Sequence, residues 1–283
     1  DSATKIQPPV PVVRRNAWLK VLATAAVFYV LLLVALLLTG NSNLFPSLVM
    51  VGNFMVPVAY VTFFYERRHL SRLTLPTIYL AFLYGGLLGI VAASILEPFF
   101  IRQLDLSAIL KIGLIEEFAK ILGVLVIAHH RRHDSEMDGL ILGAAAGMGF
   151  AALESNGYAF TAFLASNGSV SVTVAVTLLR GLLSPLGHGT WTAILASVLF
   201  RESRNGRFRI DLQVIGAYLL VSILHAMWDG LPRVIINVFS LGLGVFITDS
   251  VIGIIGVTVL WLRWREAIRL QVFCRQKPKT YNT

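Results

Sequence analysis

"LIEEFAKILGVL", residues 114–125, is an apolar helix-forming run interrupted by two adjacent glutamates and a lysine. A charged side chain at the centre of a membrane span costs about 2.5–3.5 kcal/mol on insertion scales. Glu116, Glu117 and Lys120 together cost roughly 7–10 kcal/mol, against about 4–7 recovered from the Leu, Ile, Val and Phe of the same segment. Such a helix cannot face lipid all round, so its charged side is expected to point into a protein interior or a watery cavity. At about 100° per residue, Lys120 falls about 40° from Glu116 and about 60° from Glu117, on the arc between them. The lysine is placed to hold one carboxylate while the other meets a substrate. Lys111 lies on a different face, where it can snorkel to the headgroups.

The surrounding sequence makes this stretch one span among many. The 283 residues are 56% hydrophobic and 14% charged, with a mean hydropathy of +0.74, where a soluble domain carries roughly 25% charged residues. Apolar runs able to cross a ~30 Å hydrocarbon core are expected near 17–39, 45–65, 75–97, 106–129, 138–163, 174–200, 211–231 and 240–263. Pro185 is expected to kink the sixth or leave it partly interfacial. The fold class is therefore all-α, a polytopic transmembrane helical bundle of about eight spans. The expected organisation is an N-terminal arm over 1–16, a single transmembrane catalytic domain over 17–263 and a basic tail over 264–283.

The net charge of +9 and pI of 10.0 are explained by topology rather than by nucleic acid. Basic residues cluster in the N-terminal arm, in "ERRHLSR", "RRHD" and "RESRNGRFR", and in the tail, at every second membrane exit. The opposite loops hold only Arg102 and Arg233. This is the positive-inside pattern with both termini cytoplasmic. The single cysteine, Cys274, excludes an intrachain disulfide. The first apolar run is too long for a signal peptide and lacks a cleavage site, so it reads as a span. Opening without methionine is what a trimmed or processed chain would do. No loop is long enough for a soluble domain, and no internal repeat is visible.

Further polar residues recur inside the spans. Glu154 in "GFAALESNGYAF" nearly continues the Gly139–Gly143–Gly147 stripe, which lets helices approach closely, so it is expected to face a neighbouring helix. "PLGHGTW" brings His188, and "LHAMWDG" brings His225 and Asp229 one turn apart on one face. Counting ~1.5 Å per residue from the cytoplasmic ends places Glu116 about 20 Å in, Glu154 about 24 Å, His188 about 17 Å and His225 about 21 Å. Four helices running in alternating directions thus bring polar groups to similar heights, as a site requires. Arg180 and Asp249 are read as a structural pair, and His129, His130 and His133 as a solvated interfacial turn. Asn167 in "NGS" formally fits a glycosylation sequon.

Acids, imidazoles and a lysine inside a membrane suit hydrolysis or proton-coupled transport. A transporter more often shows two related halves with interrupted helices. There is no H-E-x-x-H and no G-x-S-G, and Asp249 in "GLGVFITD" is displaced from a presenilin-like G-x-G-D.

"EEFAK" (Glu116, Glu117, Lys120), "FAALE" (Phe150, Glu154), "GHGTWTA" around His188 and "HAMWD" (His225, Asp229) resemble, in order, the motifs of the PrsW family over roughly residues 75–235. The resemblance implies a multi-pass protease of the bacterial plasma membrane that clips membrane-anchored proteins, notably anti-sigma factors, near the extracytoplasmic face. PrsW proteins are distantly similar to type II CAAX prenyl endopeptidases and to the APH-1 subunit of gamma-secretase. The CAAX enzymes carry E-E-x-x-x-R, F-x-x-x-H and H-x-x-x-N, and this chain departs from them at Lys120, Glu154 and Asp229.

Two mechanisms follow. In one, Glu154, His188 and His225 hold Zn2+, with Glu117 and Asp229 as further possible ligands, Asp229 orienting His225 and Glu116 as general base. In the other, no metal is used: Glu116 and Glu154 share a proton across a water, and His225 and Asp229 stabilise the oxyanion. The partners expected are a single-pass membrane protein substrate and the lipid bilayer, with no nucleic acid and no soluble cofactor protein. A non-catalytic APH-1-like scaffold and a proton-coupled transporter are the alternatives.

Overall fold

The computed structural model describes residues 16–68, 71, 73–103, 105–129, 135–204, 206–235 and 241–276. His130 and His133 lie outside the described residues, as does most of the N-terminal arm.

Nine α-helices are found among the described residues: α1 (Ala17–Thr39), α2 (Phe45–Glu66), α3 (Leu75–Phe100), α4 (Leu106–Ala128), α5 (Glu136–Ala165), α6 (Val170–Leu183), α7 (His188–Arg201), α8 (Leu212–Ile235) and α9 (Leu241–Gln276). Seven helical segments are long and apolar enough to cross a membrane. α4 is the eighth expected span: its 23 residues are sufficient in length, and its charges are those of the "EEFAK" turn together with Lys111. Lys111 is exposed, as its snorkelling face requires.

α5 is the axis of the bundle, packed between α3 on one side and α7 on the other. Every residue from Glu136 to Ala152 is buried. Its glycine stripe is the reason: a Cβ at Gly139, Gly143 or Gly147 would collide with the carbonyl oxygens of Ala196, Thr192 and His188 respectively. With no side chain between them, the α5 and α7 backbones touch, and dispersion contacts replace the missing hydrophobic drive inside lipid.

The expected sixth span is broken where proline predicted a kink. α6 stops at Leu183, a 3-10 turn covers Ser184–Leu186, and α7 restarts at His188. Pro185 has no N–H to continue a helix ladder, and Thr190 Oγ1 instead donates to the Pro185 carbonyl at 2.6 Å. The break sets His188 at the very N-terminus of a wholly buried helix. α9 also departs from expectation, because it continues past residue 263 to Gln276. Arg263 and Glu266 pair one turn apart at 2.6 Å, Arg263 also reaches Glu136 at the start of α5, and Trp264 packs edge-on against Phe64. Helix-forming residues with partners extend the helix beyond its apolar run.

Candidate functional site

α4 carries the first three polar groups, and one close approach brings α8 to meet them. A Cβ on Gly113 would lie 2.5 Å from the Ser222 carbonyl oxygen and 3.4 Å from His225 Cβ. The missing side chain lets α8 settle one turn below Glu117. His225 Nδ1 then donates to Glu117 Oε1 at 3.0 Å. Lys120 Nζ donates to the same oxygen at 2.7 Å and lies 3.4 Å from Glu116 Oε2. Thr192 Oγ1 of α7 donates to the other Glu117 oxygen at 3.3 Å. Glu117 is thus fully engaged as a positioning group.

α7 contributes His188 through the Gly147 contact. Lys120 Nζ, which has only donors, donates to His188 Nδ1 at 2.8 Å. The proton of this imidazole therefore sits on Nε2, which donates to Glu154 Oε2 at 3.1 Å. Arg180 of α6 donates to the same Glu154 oxygen at 2.6 Å and to Ser155 Oγ at 3.2 Å. Asp229, one turn beyond His225, lies 3.4 Å from its Nε2. Phe150, Trp191 and Trp228 wall the histidines in: the His188 ring lies 5.5 Å from Phe150, the His225 ring 4.8 Å from Trp191, and Trp191 meets Trp228 edge to face. Burial is nearly complete, with Glu117 and Lys120 at 0%, His225 at 1%, Glu116 at 6% and His188 at 9% exposure.

All seven residues singled out in the sequence lie in this one cluster, but their pairings differ from those expected. The trio whose donor atoms all come within 4.8 Å of one another is Glu116, His188 and His225. Glu154 is not in it; one of its oxygens is shared by Arg180 and His188. Arg180 accordingly pairs with Glu154 rather than with Asp249, although Arg180 and Asp249 line one small cavity of about 150 Å³ together with His188. His225 is held by Glu117 at Nδ1, so Asp229 shares its other face rather than orienting it alone.

The residues fit a divalent ion on three grounds. Glu116 Oε2 is buried without a hydrogen-bond partner, a costly arrangement unless something else satisfies it. Two imidazoles and a carboxylate are a donor set that zinc takes, and the Glu117–His225 contact is the carboxylate–histidine support common around bound metals. Four carboxylates (Glu116, Glu117, Glu154 and Asp229) face only two fixed cations, Lys120 and Arg180, leaving a formal excess of two negative charges.

A residue absent from the sequence reading lies beside this cluster without joining it. Glu97, near the end of α3, lines a cavity shared with Glu116 and Glu154. Its signal was an acid inside the apolar run "SILEPFF", masked by the proline beside it that reads as a span end.

Comparison with known proteins gives a consistent picture. A family profile described as "PrsW family intramembrane metalloprotease" matches residues 74–261. "Protease PrsW" of Halalkalibacterium halodurans is 29% identical over 180 residues, covering 62% of this chain and 78% of that protein. No solved structure matches the chain.

Proposed function

Because the chain belongs to the PrsW family of intramembrane metalloproteases, and is thus a multi-pass membrane endopeptidase, we propose that it cuts a single-pass protein near the extracytoplasmic face of a bacterial plasma membrane. Its substrate would be an anti-sigma-factor-like protein with a short stem. The observation that carries this reading is the buried Glu116–His188–His225 trio, three donors from three helices that meet inside the membrane-crossing part of the bundle.

In this reading the trio would hold Zn2+. When bound, the ion would polarise the scissile carbonyl and make a water acidic enough to attack it. Glu154 stands beside His188 Nε2, within reach of the trio. It serves as proton acceptor for the attacking water. The water oxygen bonds to the carbonyl carbon, whose π pair moves onto oxygen. Glu154 then returns the proton to the departing amide nitrogen as the C–N bond breaks. Arg180 orients Glu154 throughout, and Lys120 and Glu117 keep the two histidines in register.

A second reading is favoured by Glu154 lying 3.1 Å from His188 Nε2: Glu116 is the base, and Glu154 is the third ligand. The glutamates separate the two. Purified Glu116→Gln and Glu154→Gln proteins are assayed for bound metal and for cleavage of a single-span reporter. The first reading expects Glu116→Gln to lose both, and Glu154→Gln to keep metal while losing at least about 100-fold in rate. Metal lost from Glu154→Gln and kept in inactive Glu116→Gln would reverse the roles. Unchanged cleavage in both variants would leave neither as a catalytic group, and no cleavage even by the wild type is what an APH-1-like scaffold or a transporter would give.

A further inference from the structure

A groove of about 340 Å³ runs between α3 and α5 and ends at the metal trio, where Glu116 and Phe150 close it. Along α5 its wall extends from Phe150 to Thr161, about 16 Å at ~1.5 Å per residue. That length matches roughly five residues of extended peptide at ~3.3 Å each. The wall is open midway: no atom lies within 4 Å of a Cβ placed on Gly157. Its deep end holds a buried oxygen without a hydrogen bond, since Glu116 is 6% exposed and its Oε2, 3.4 Å from Lys120, accepts none.

The charges along this groove are unequal. Glu116 has Lys120 at 3.4 Å and Glu154 has Arg180 at 2.6 Å. Glu97 is half-buried in the α3 wall, and no hydrogen bond or ion pair reaches its carboxylate among the described residues. No lysine, arginine or histidine lines the groove. A half-buried carboxylate with no fixed cation beside it gains a charge-assisted contact from one that a ligand brings. The apolar wall beside it (Ile90, Leu153) suits the methylene stem of a long basic side chain.

We propose that this groove is the track for the substrate backbone and that Glu97 selects a lysine or arginine within about five residues of the scissile bond. The proposal rests on the trio being the proteolytic centre. Glu97 is a specificity residue and takes no part in the bond-breaking step.

The test uses the full chain in lipid nanodiscs and single-span reporter peptides that carry Lys, Gln or Glu at one position. That position is walked across five residues on each side of the cut. At one position the wild type is expected to cleave the Lys peptide about 10-fold faster in kcat/KM than the Gln peptide, as a charge-assisted contact gives, and the Glu peptide more slowly still. Glu97→Gln removes that preference through KM and keeps kcat on the Gln peptide. Glu97→Lys shifts the preference to the Glu peptide. Binding of the Lys peptide to the Glu116→Gln protein, followed by fluorescence anisotropy, weakens by the same factor when Glu97→Gln is added. An identical Lys-to-Gln ratio in wild type and Glu97→Gln at every position overturns the proposal and leaves the protease reading standing. Failure of the metal-loaded wild type to cleave any peptide overturns both.

Discussion

The two halves of α5 carry nearly the same kind of sequence, small residues with occasional polar ones, and do opposite things. In the first half, Gly139, Gly143 and Gly147 are pressed against the backbone of α7 and every side chain is buried. In the second half, Gly157 faces open space, and Glu154 and Tyr158 line a groove. The difference lies in what the small residue faces. Where glycine meets another backbone it fixes the position of a catalytic helix; where it meets nothing it keeps a path clear. One helix thus serves as scaffold at one end and as channel wall at the other, and His188 and Glu154 meet at the change-over.

The sharpest way to break this contrast is at the lysine that joins the two halves. Lys120 is fully buried among Glu116, Glu117 and His188 and lies over the Phe150 ring at 4.4 Å. Lys120→Met leaves those carboxylates without their cation and is expected to destabilise the fold by about 3–5 kcal/mol, read by thermal or denaturant unfolding in detergent. A stable Lys120→Met protein would mean that the cluster is wetter than its burial indicates. Next in size is Gly147→Leu, where backbone would have to give way. Overpacking of about 3 kcal/mol is expected, the upper end for such changes, with loss of activity following loss of fold. Gly157→Leu on the same helix should leave stability within about 0.5 kcal/mol. Its activity should fall about 10-fold because the groove is filled, a change of about 1.4 kcal/mol. If the two leucine variants unfold alike, the halves are not distinct.

The smallest effect lies outside the membrane-crossing segments. The Ser107 hydroxyl and then the Ala108 amide donate to Asp105 at 2.7 and 2.8 Å, capping α4 and holding that exposed carboxyl below its ordinary value. A depressed folded value means the cap contributes above the ordinary carboxyl range and fades as pH falls through the folded value. Asp105→Ala should therefore lower the melting temperature slightly at neutral pH and make no difference in strong acid.

Much of this organisation was legible in the sequence because lipid is a strict solvent. Charges at positions 116, 117 and 120 could only face inward, and hydropathy with helix rise put four polar groups at one height. The glycine stripe announced a close helix approach, which is the one with α7, and Pro185 announced a kink, which is the break before His188. What the sequence did not carry was rotation and pairing. Arg180 and Asp249 lie towards the same ends of their spans, so a pair was reasonable, yet the turn of α6 aims the guanidinium at Glu154. Glu116, and not Glu154, stands with both histidines within 4.8 Å. The α9 extension was hidden for another reason: beyond residue 263 the helix is held by ion pairs and aromatic packing, which hydropathy does not register.

The most direct measurement is zinc bound per purified chain, taken together with cleavage before and after chelation. Wild type should carry about one ion per chain, lose cleavage on chelation and regain it when zinc is restored, while His225→Ala should carry none. Full cleavage by chelated, metal-free protein would contradict a metal centre built from Glu116, His188 and His225.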